Sequence, residues 1–351
     1  MDNGYLDQII ETIQSASNLL PRGGNTKTGI QNPQDIQILD MSSISGIREY
    51  SPSEFTFTAL AGTRLNEINQ MLSDNGQFLP FDPPLAAQGA TLGGTVAANL
   101  SGSMRYHYGG VRDFILGVNF LDSRGQLVRT GGKVVKNAAG FDIPKLMVGS
   151  LGSLGTLVEL SFKVFPRHEE YISIVSRYDN LADALSTLIK LSSSSAEILC
   201  LDLTPQADSF DVIVRLGGDP GLFQERISNM PELIPEAKYL EGREESNLWE
   251  AINEFSWSPE GASLVKVPLI PKYLPELEQF LDASNVDRRY SAGGNVAWIA
   301  WSGTTTALDQ KLKDMNLWGL TILGSADNVR LGAFEQNIFF KKIKTALDPS
   351  G

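Results

Sequence analysis

The spacing of apolar residues divides the chain into two stretches with different patterns. Residues 6–15 place apolar side chains three and four positions apart, which predicts an amphipathic helix. Three short segments, IQILDM, ISGIREY and EFTFTAL, then have the alternation typical of strands. Helical spacing returns over residues 63–75, and Gly76, the next residue, is a signal that ends the helix. A long strand pattern over residues 154–165 ends the first stretch.

The second stretch begins after Pro166, a residue that interrupts the preceding strand pattern. Strand and helix patterns follow in the order strand, helix, strand, strand, and this order is used twice. Such an order predicts an antiparallel sheet with helices covering one face. The final segment, residues 334–347, again has helical spacing. We therefore predict an α+β fold with two domains, residues 1–166 and residues 167–351.

Composition narrows the classes of function. The 351 residues include 29 Lys and Arg against 41 Asp and Glu, and the net charge of −12 disfavours binding to nucleic acid. One cysteine and two histidines exclude an internal disulfide, an iron–sulfur cluster held by this chain and a three-histidine metal site. Redox chemistry would therefore need an organic cofactor or a partner. Without a signal-peptide pattern or an 18-residue apolar run, we expect a cytoplasmic protein with no transmembrane segment, either free or at a membrane surface through its partners.

Glycine and positive charge are concentrated in one part of the chain. Fourteen of the 33 glycines fall between Gly89 and Gly155, interleaved with apolar residues that indicate folded structure. Seven cationic and three anionic residues lie between Arg105 and Lys145. Glycine-rich turns are the simpler alternative. Together, however, glycine and positive charge favour a bound anion such as a diphosphate.

The two standard phosphate-binding motifs do not occur. Gly149, Gly152 and Gly155 have the spacing GxxGxxG, which is neither the dinucleotide fingerprint nor a P-loop. Three other segments are candidates: residues 21–26, 90–99 and 133–155. In the first two, adjacent glycines predict backbone amides that converge on phosphate oxygens. Thr91 or Thr95 is expected to start a helix whose N-terminus faces the anion.

These segments carry a family resemblance. The sequences PRGGNT, ATLGGTVAAN and KVVKNAAGFDIPKLMVGSLGSLGTLVELSFKVFPR resemble the FAD-binding domain of the vanillyl-alcohol oxidase and p-cresol methylhydroxylase (PCMH) flavoproteins. Within that family they are most similar to the smaller FAD-binding subunits of bacterial glycolate oxidases. The resemblance covers residues 19–167 strongly and the remainder weakly. It implies a PCMH-type FAD-binding domain of two α/β subdomains, followed by an antiparallel-sheet cap domain.

The resemblance also implies a role for each segment. Residues 21–26 would form the diphosphate loop, and residues 82–84 with 89–95 would pass along the diphosphate and the flavin ring. Residues 105–113 would lie near the ring, and residues 149–155 with Val158 would line the ribityl and adenosine side. For the apolar members, Val158 among them, an ordinary place in the core is the alternative. The implied cofactor-binding residues are Pro21, Arg22, Gly23, Gly24, Asn25, Thr26, Pro83, Gly89, Ala90, Thr91, Gly93, Gly94, Thr95, Ala98, Asn99, Arg105, Gly149, Ser150, Gly152, Gly155 and Val158.

Departures from the family pattern bear on the chemistry. Asn25 stands where some relatives have a histidine bonded to the flavin, so FAD is expected to be non-covalent. Residues 291–296 resemble a motif of the larger catalytic subunits but have none of its histidines, and no metal site is expected. His107 is then the candidate catalytic base, with a surface or packing role beside two tyrosines as the alternative. Of Arg288 and Arg289, at most one can bind a carboxylate, because neighbours on a strand point to opposite faces.

The resemblance implies an FAD-binding subunit of a glycolate oxidase or dehydrogenase complex, supporting the oxidation of glycolate or D-lactate to the 2-oxo acid. Its expected partners are a larger FAD-containing subunit and an iron–sulfur subunit that receives the electrons. Two alternatives stay open. One is a self-standing FAD-dependent D-2-hydroxy-acid dehydrogenase, and the other is a flavin-free subunit that serves assembly alone.

Overall fold

The computed structural model describes residues 3–30, 36–132, 142–228, 234, 237–324, 328–335 and 338–348. Residues 133–141, which belong to the third predicted segment, lie outside these ranges. The helices are α1 (Asn3–Ser15), α2 (Leu65–Ser73), α3 (Leu92–Ala98), α4 (Arg105–Tyr108), α5 (Val111–Phe114), α6 (Ile143–Met147), α7 (Leu181–Ser192), α8 (Pro220–Ser228), α9 (Gly242–Asn253), α10 (Leu274–Ala283), α11 (Thr306–Asp314) and α12 (Ile338–Leu347). The strands are β1 (Leu19–Arg22), β2 (Gln37–Asp40), β3 (Ile47–Ser51), β4 (Thr56–Leu60), β5 (Gln77–Phe78), β6 (Ile115–Leu121), β7 (Leu127–Gly131), β8 (Thr156–Lys163), β9 (Phe165–Pro166), β10 (Glu170–Tyr178), β11 (Cys200–Pro205), β12 (Phe210–Gly218), β13 (Lys238–Glu241), β14 (Ser263–Pro268), β15 (Asp287–Ser291), β16 (Val296–Trp301), β17 (Trp318–Leu323) and β18 (Arg330–Gly332).

The first part of the chain, residues 3–166, has three sheets in the described residues, of which the antiparallel pair β5 and β9 has the shortest strands. A small parallel pair, β1 and β2, packs with α1. A larger antiparallel sheet has the strand order β3-β4-β8-β6-β7. The helical spacing predicted over residues 63–75 is observed as α2, which buries Leu65, Ile68 and Leu72. The chain turns after α2 at Gly76, whose φ of 63° suits glycine.

The second part contains a nine-stranded antiparallel sheet with the order β13-β10-β12-β11-β15-β16-β14-β17-β18. The predicted order of strand, helix, strand, strand is present as β10-α7-β11-β12 and again as β14-α10-β15-β16. The two units meet where β11 pairs with β15. The α+β class with antiparallel sheets is therefore confirmed.

Helices cover both faces of the nine-stranded sheet, which differs from the one-face prediction. Helices α7, α10 and α11 pack on one face together with α8. On the other face, α9 places Trp249 and Ile252 against Cys200 and Ile213, beside Met104 of the first part. Strand β12 is buried at seven consecutive positions, because both of its faces are covered.

The two parts meet along this second face. Lys266 of β14 and Asn99, which ends α3, lie in contact there, although 167 residues separate them in the sequence. The C-terminal helix α12 packs its apolar side against the core of the first part. Within the described ranges, no helix has both the length and the apolar character needed to cross a membrane.

Candidate functional site

The loop after β1 presents unused backbone donors. Within the described residues, the amide N–H groups of residues 23–26 have no hydrogen-bond acceptor. Asn25 has a φ of 53°, a left-handed conformation that Asn tolerates and that helps successive amides converge. Such a concave run of free amides is a site for an anion.

Glycine is required in this loop because two loops touch there. A Cβ on Gly23 would lie 2.1 Å from Thr91 Oγ1, and one on Gly24 would lie 2.0 Å from the carbonyl oxygen of Gly89. Both distances are far shorter than any real contact. The two glycines therefore let the loop of residues 21–26 pack against the second glycine segment, residues 90–99 with Gly89 before them. The amides of residues 23–26 remain without acceptors among the described residues.

The second glycine segment uses its own amides internally. Thr91 starts α3 as predicted, with its Oγ1 accepting from the amide of Gly94 at 3.4 Å. However, the Leu92 amide donates to Thr63 at 2.9 Å and the Gly93 amide donates to Ala61 at 2.8 Å. The expectation that these amides face a phosphate is therefore wrong for Gly93, whereas for Gly94, which lines the narrow cavity described below, it stays a prediction. Gly93 instead lets α3 approach Ala61, where an added Cβ would meet Ala61 Cβ at 2.8 Å.

A narrow cavity of about 110 Å³ lies between these two segments and the turn before β8. It brings together residues from all three predicted groups and adds Lys27. The predicted residues that line it are Pro21, Arg22, Gly23, Gly24, Asn25, Thr26, Thr91, Gly93, Gly94, Ala98, Gly152 and Gly155.

Lys27 is a cation without a counter-ion at the narrow cavity. Its Nζ donates to Thr26 Oγ1 at 3.3 Å, and no carboxylate of the described part of the chain lies within 4 Å. Burial lowers the pKa of Lys27 to about 8. Sequence reasoning missed this residue, although it is the one cation besides Arg22 in the run PRGGNTKTG. A bound anion would compensate its buried charge.

A wide cavity of about 890 Å³ adjoins the narrow one. Ala98 and Leu151 line both cavities. It lies between the first part, strands β14 to β18 and α12. The predicted residues Asn99, Arg105, Gly149 and Ser150 line it together with Ala98. Its size falls in the range of roughly 300–1,000 Å³ that is typical of small-molecule sites.

Lys266 is the most deeply buried cation of the wide cavity. Its side chain is 6% exposed, and its Nζ donates to the carbonyl oxygen of Asn99 at 2.8 Å. Burial, and secondarily the positive charge of Arg105, lowers the pKa of Lys266 to about 7. Because no carboxylate of the described residues pairs with it, Lys266 is available to an anionic ligand.

Two arginines add to this positive charge. Burial lowers the pKa of Arg105, with partial opposition from Asp113, and burial also lowers the pKa of Arg330. Arg330 stacks over the ring of Phe334 at 4.3 Å, and neither arginine has a carboxylate within 4 Å among the described residues. A positively charged cavity in a chain of net charge −12 is suited to an anionic ligand.

One residue of the wide cavity has a buried hydroxyl group without a partner in the described structure. It is Ser150, whose Oγ makes no hydrogen bond, whereas the unpartnered Thr95 Oγ1 belongs to a fully buried residue that lines neither cavity. Buried polar groups are normally hydrogen-bonded, so Ser150 fits a ligand that carries hydroxyl or phosphate groups.

Several predicted residues lie away from both cavities. Val158 and Ala90 are packed in hydrophobic cores, and Pro83 and Thr95 are also buried. The carbonyl of Gly89 supports the loop by accepting from Arg64 Nη1 at 3.3 Å. For Val158, the alternative of an ordinary core position describes the structure, and Ala90 occupies a core position as well.

His107 is exposed on α4 and lines neither cavity. Its ring packs edge-on against Tyr108, with centroids 4.6 Å apart, so the surface alternative describes it better than a catalytic base. Arg288 is held by Glu278 and Asp282, and Arg289 lies 3.8 Å from Asp202. Neither arginine lines the two cavities.

Comparison with known proteins gives the class of this site. Residues 6–131 match the family model described as an FAD binding domain. The match places an FAD-binding domain in residues 6–131, in agreement with the predicted PCMH-type domain, and the prediction of FAD as cofactor is confirmed. The free amides, Lys27 and the unpartnered hydroxyl of Ser150 fit the diphosphate and the hydroxyl groups of that cofactor.

Individual relatives sharpen the comparison. The chain is 41% identical over 183 residues, 52% of its length, to the glycolate oxidase subunit GlcE of Escherichia coli, of which 52% is covered. It is 30% identical over 172 residues, 48% of its length, to the glycolate oxidase subunit GlcD of Bacillus subtilis, of which 36% is covered. A D-lactate dehydrogenase of Anaerostipes hadrus is 32% identical over 151 residues, 43% of this chain and 31% of the relative. The matched part thus spans about half or less of these relatives.

The fold extends over nearly the whole chain. An alkyldihydroxyacetonephosphate synthase superimposes with a TM-score of 0.69 over 98% of this chain and 73% of that protein, at 14% identity. At this identity the likeness concerns the fold alone, and it includes the nine-stranded sheet.

Proposed function

We propose that the chain is the FAD-binding subunit of a complex that oxidises 2-hydroxy acids such as glycolate or D-lactate. Its partners would be a larger FAD-containing subunit and an iron–sulfur subunit that receives the electrons. Residues 1–166 would bind FAD, and residues 167–351 would cap the cofactor. The similarity to glycolate oxidase subunits supports this assignment. The observation that carries it is a cavity with unpaired cations that continues from the diphosphate loop.

Several groups of this chain would hold FAD. The amides of residues 23–26 and the ammonium of Lys27 would bind its diphosphate, where they meet negative charge without a competing carboxylate. Ser150, whose hydroxyl has no partner among the described residues, would donate to one of its polar groups. Neither cavity is lined by a histidine or cysteine in the described part of the chain, which supports non-covalent binding.

Bound FAD would supply the acceptor for the hydride that leaves C2 of the acid. Arg105 and Lys266 would hold the carboxylate, because both are cationic and no carboxylate of the described residues neutralises them. The apolar surroundings strengthen this attraction relative to water. The oxidation also requires a group that accepts the hydroxyl proton.

Lys266 favours a second candidate function, a self-standing D-2-hydroxy-acid dehydrogenase. With a pKa of about 7, the Nζ of Lys266 is partly neutral at physiological pH and can accept a proton. No histidine or tyrosine lines the wide cavity within the described residues. In this second candidate, Lys266 would replace His107 as the base.

Anaerobic titration of the purified, FAD-loaded chain with glycolate and with D-lactate separates the candidates. Bleaching of the flavin absorption without partners supports the self-standing enzyme. Bleaching that requires the two partner subunits supports the complex, and no bleaching in either case overturns both. Lys266→Met should abolish the bleaching, whereas Lys272→Met, a change at an exposed lysine, should leave it unchanged.

A further inference from the structure

The wide cavity combines cations with an extended apolar surface. We define the apolar wall as Trp318, Leu320, Phe334, Phe340, Ile343 and Leu347, all of which line the cavity. Glycolate has no carbon substituent at C2 and could not contact such a surface. This inference rests on the proposed function and concerns the class of 2-hydroxy acid.

The strand register places the wall beside the carboxylate-binding cations. Lys266 of β14 is directly opposite Leu320 of β17, and Leu320 is directly opposite Arg330 of β18. Residues in opposite positions share a face of the sheet, and neighbouring strands are about 4.8 Å apart. Trp318 lies two positions before Leu320 and therefore on the same face. Apolar surface thus begins one strand away from Lys266.

Helix α12 supplies the other side of the wall. Phe340, Ile343 and Leu347 are three and four positions apart, so they share one side of the helix, and all three are half-buried. Lys341 and Lys342 are exposed. Phe334 is held beside Trp318, with ring centroids 5.6 Å apart, and under the guanidinium of Arg330.

We propose that this site accepts 2-hydroxy acids whose C2 substituent is an apolar chain longer than methyl, and that it binds them more tightly than glycolate or lactate. Arg105 and Lys266 hold the carboxylate, and the substituent extends from C2 along Leu320 towards α12. Burial of apolar surface then contributes to affinity in proportion to chain length.

Calorimetric titration of the FAD-loaded chain with 2-oxo acids tests the proposal without turnover. The series is pyruvate, 2-oxobutanoate, 2-oxohexanoate and 2-oxooctanoate. Affinity should rise about fourfold per added methylene over the first members, the equivalent of about 0.8 kcal/mol per buried methylene. A flat or falling series, with pyruvate still bound, overturns this inference and leaves the proposed function intact. Absence of binding by every acid overturns both.

Variants separate the two ends of the site. Ile343→Ser and Leu320→Ser should flatten the chain-length dependence while pyruvate affinity stays within about twofold, because only the apolar contact is lost. Ile343 is half-buried, so this variant should fold even if Leu320→Ser does not. Lys266→Gln should weaken every acid by the same factor. Ile270→Ser, at an exposed isoleucine away from both cavities, is the matched control.

Two other results would contradict the proposal. If the wall variants lose FAD while the wild type shows no chain-length dependence, the wall serves the flavin ring instead. If 2-oxoglutarate binds more than tenfold tighter than 2-oxohexanoate, and Arg330→Gln removes the difference, the substituent is a second carboxylate rather than an apolar chain.

Discussion

Two segments of the first part carry adjacent glycines beside threonine, residues 21–26 and residues 91–95, and they use their backbones in opposite ways. The first keeps four amides free within the described structure, whereas in the second the amides of residues 92–95 donate to Thr63, Ala61 and Thr91. The first has glycine so that two loops can meet, and the second has glycine so that a helix can approach a strand. A pair of glycines therefore indicates close approach of the backbone, and only the hydrogen-bond partners show what approaches.

Reversing the charge of Lys27 should have the largest effect on the first segment. We expect Lys27→Glu to weaken FAD binding by at least about 100-fold, because hydrogen bonds to charged groups contribute about 1.5–3 kcal/mol and the carboxylate adds repulsion. Flavin content per chain and the Kd from a fluorescence titration measure this. Lys27→Arg should retain most of the affinity, and Lys190→Glu, at an exposed lysine, should retain all of it. Equal flavin content in Lys27→Glu and wild type would remove Lys27 from the site.

Gly24→Ala should have the next largest effect. The added Cβ would lie 2.0 Å from the carbonyl oxygen of Gly89, so the loop has to move and its amides lose their arrangement. We expect FAD affinity to fall about tenfold, in line with the cost of about 1–3 kcal/mol for overpacking. The unfolding free energy of the FAD-free chain should change less than the binding free energy. An unchanged Kd would show that the loop can shift without affecting the cofactor.

Gly93→Ala should lower the stability of the chain more than its FAD affinity, which is the reverse of Gly24→Ala. Here the Cβ meets Ala61 in the core, so we expect the FAD-free chain to lose about 1–3 kcal/mol of unfolding free energy. FAD affinity should fall less than in Gly24→Ala, because the Gly93 amide already donates within the protein. Urea denaturation of the FAD-free variants gives the comparison. If both glycine variants affect stability and binding in the same ratio, the two segments do not differ as described.

Local patterns in the sequence are sufficient to predict much of the fold. The period of the apolar residues gives α2 and the repeated strand order, because each depends on neighbours a few positions away. The glycine segments predict a diphosphate loop, and the family resemblance identifies the cofactor. Local patterns do not show which residues come into contact when they are far apart in the sequence. Lys266 is an ordinary strand residue until folding brings it to Asn99, 167 positions away, and replaces water around its ammonium.

The same limit explains the residues that were misplaced. Val158 and Ala90 have the composition of cofactor-lining residues and of core residues alike, and only tertiary packing distinguishes these roles. His107 is the one histidine within the glycine-rich segment, which makes it the candidate base in the sequence, but its helix presents it to solvent. The amides of α3 were expected to be free because sequence does not show that Thr63 and Ala61 accept from them.

A pH titration also tests the comparison between the two glycine segments, and its expected effect is the smallest. Burial lowers the pKa of Lys27 to about 8, below the value of about 10.4 for an exposed lysine. Between these two values the unfolded chain binds more protons than the folded one, so the FAD-free chain should gain stability as pH rises from 8 towards 10. FAD binding favours the charged ammonium and should therefore weaken over the same range, by about three- to tenfold between pH 7.5 and 9.

The charges around Lys27 make this titration interpretable. Arg22 is the other ionisable side chain that lines the narrow cavity in the described residues. Lys27→Arg should therefore show a nearly constant FAD affinity from pH 7.5 to 9, whereas Gly93→Ala should retain the pH dependence of the wild type. A pH dependence that persists in Lys27→Arg would assign the titration to a group outside the diphosphate loop.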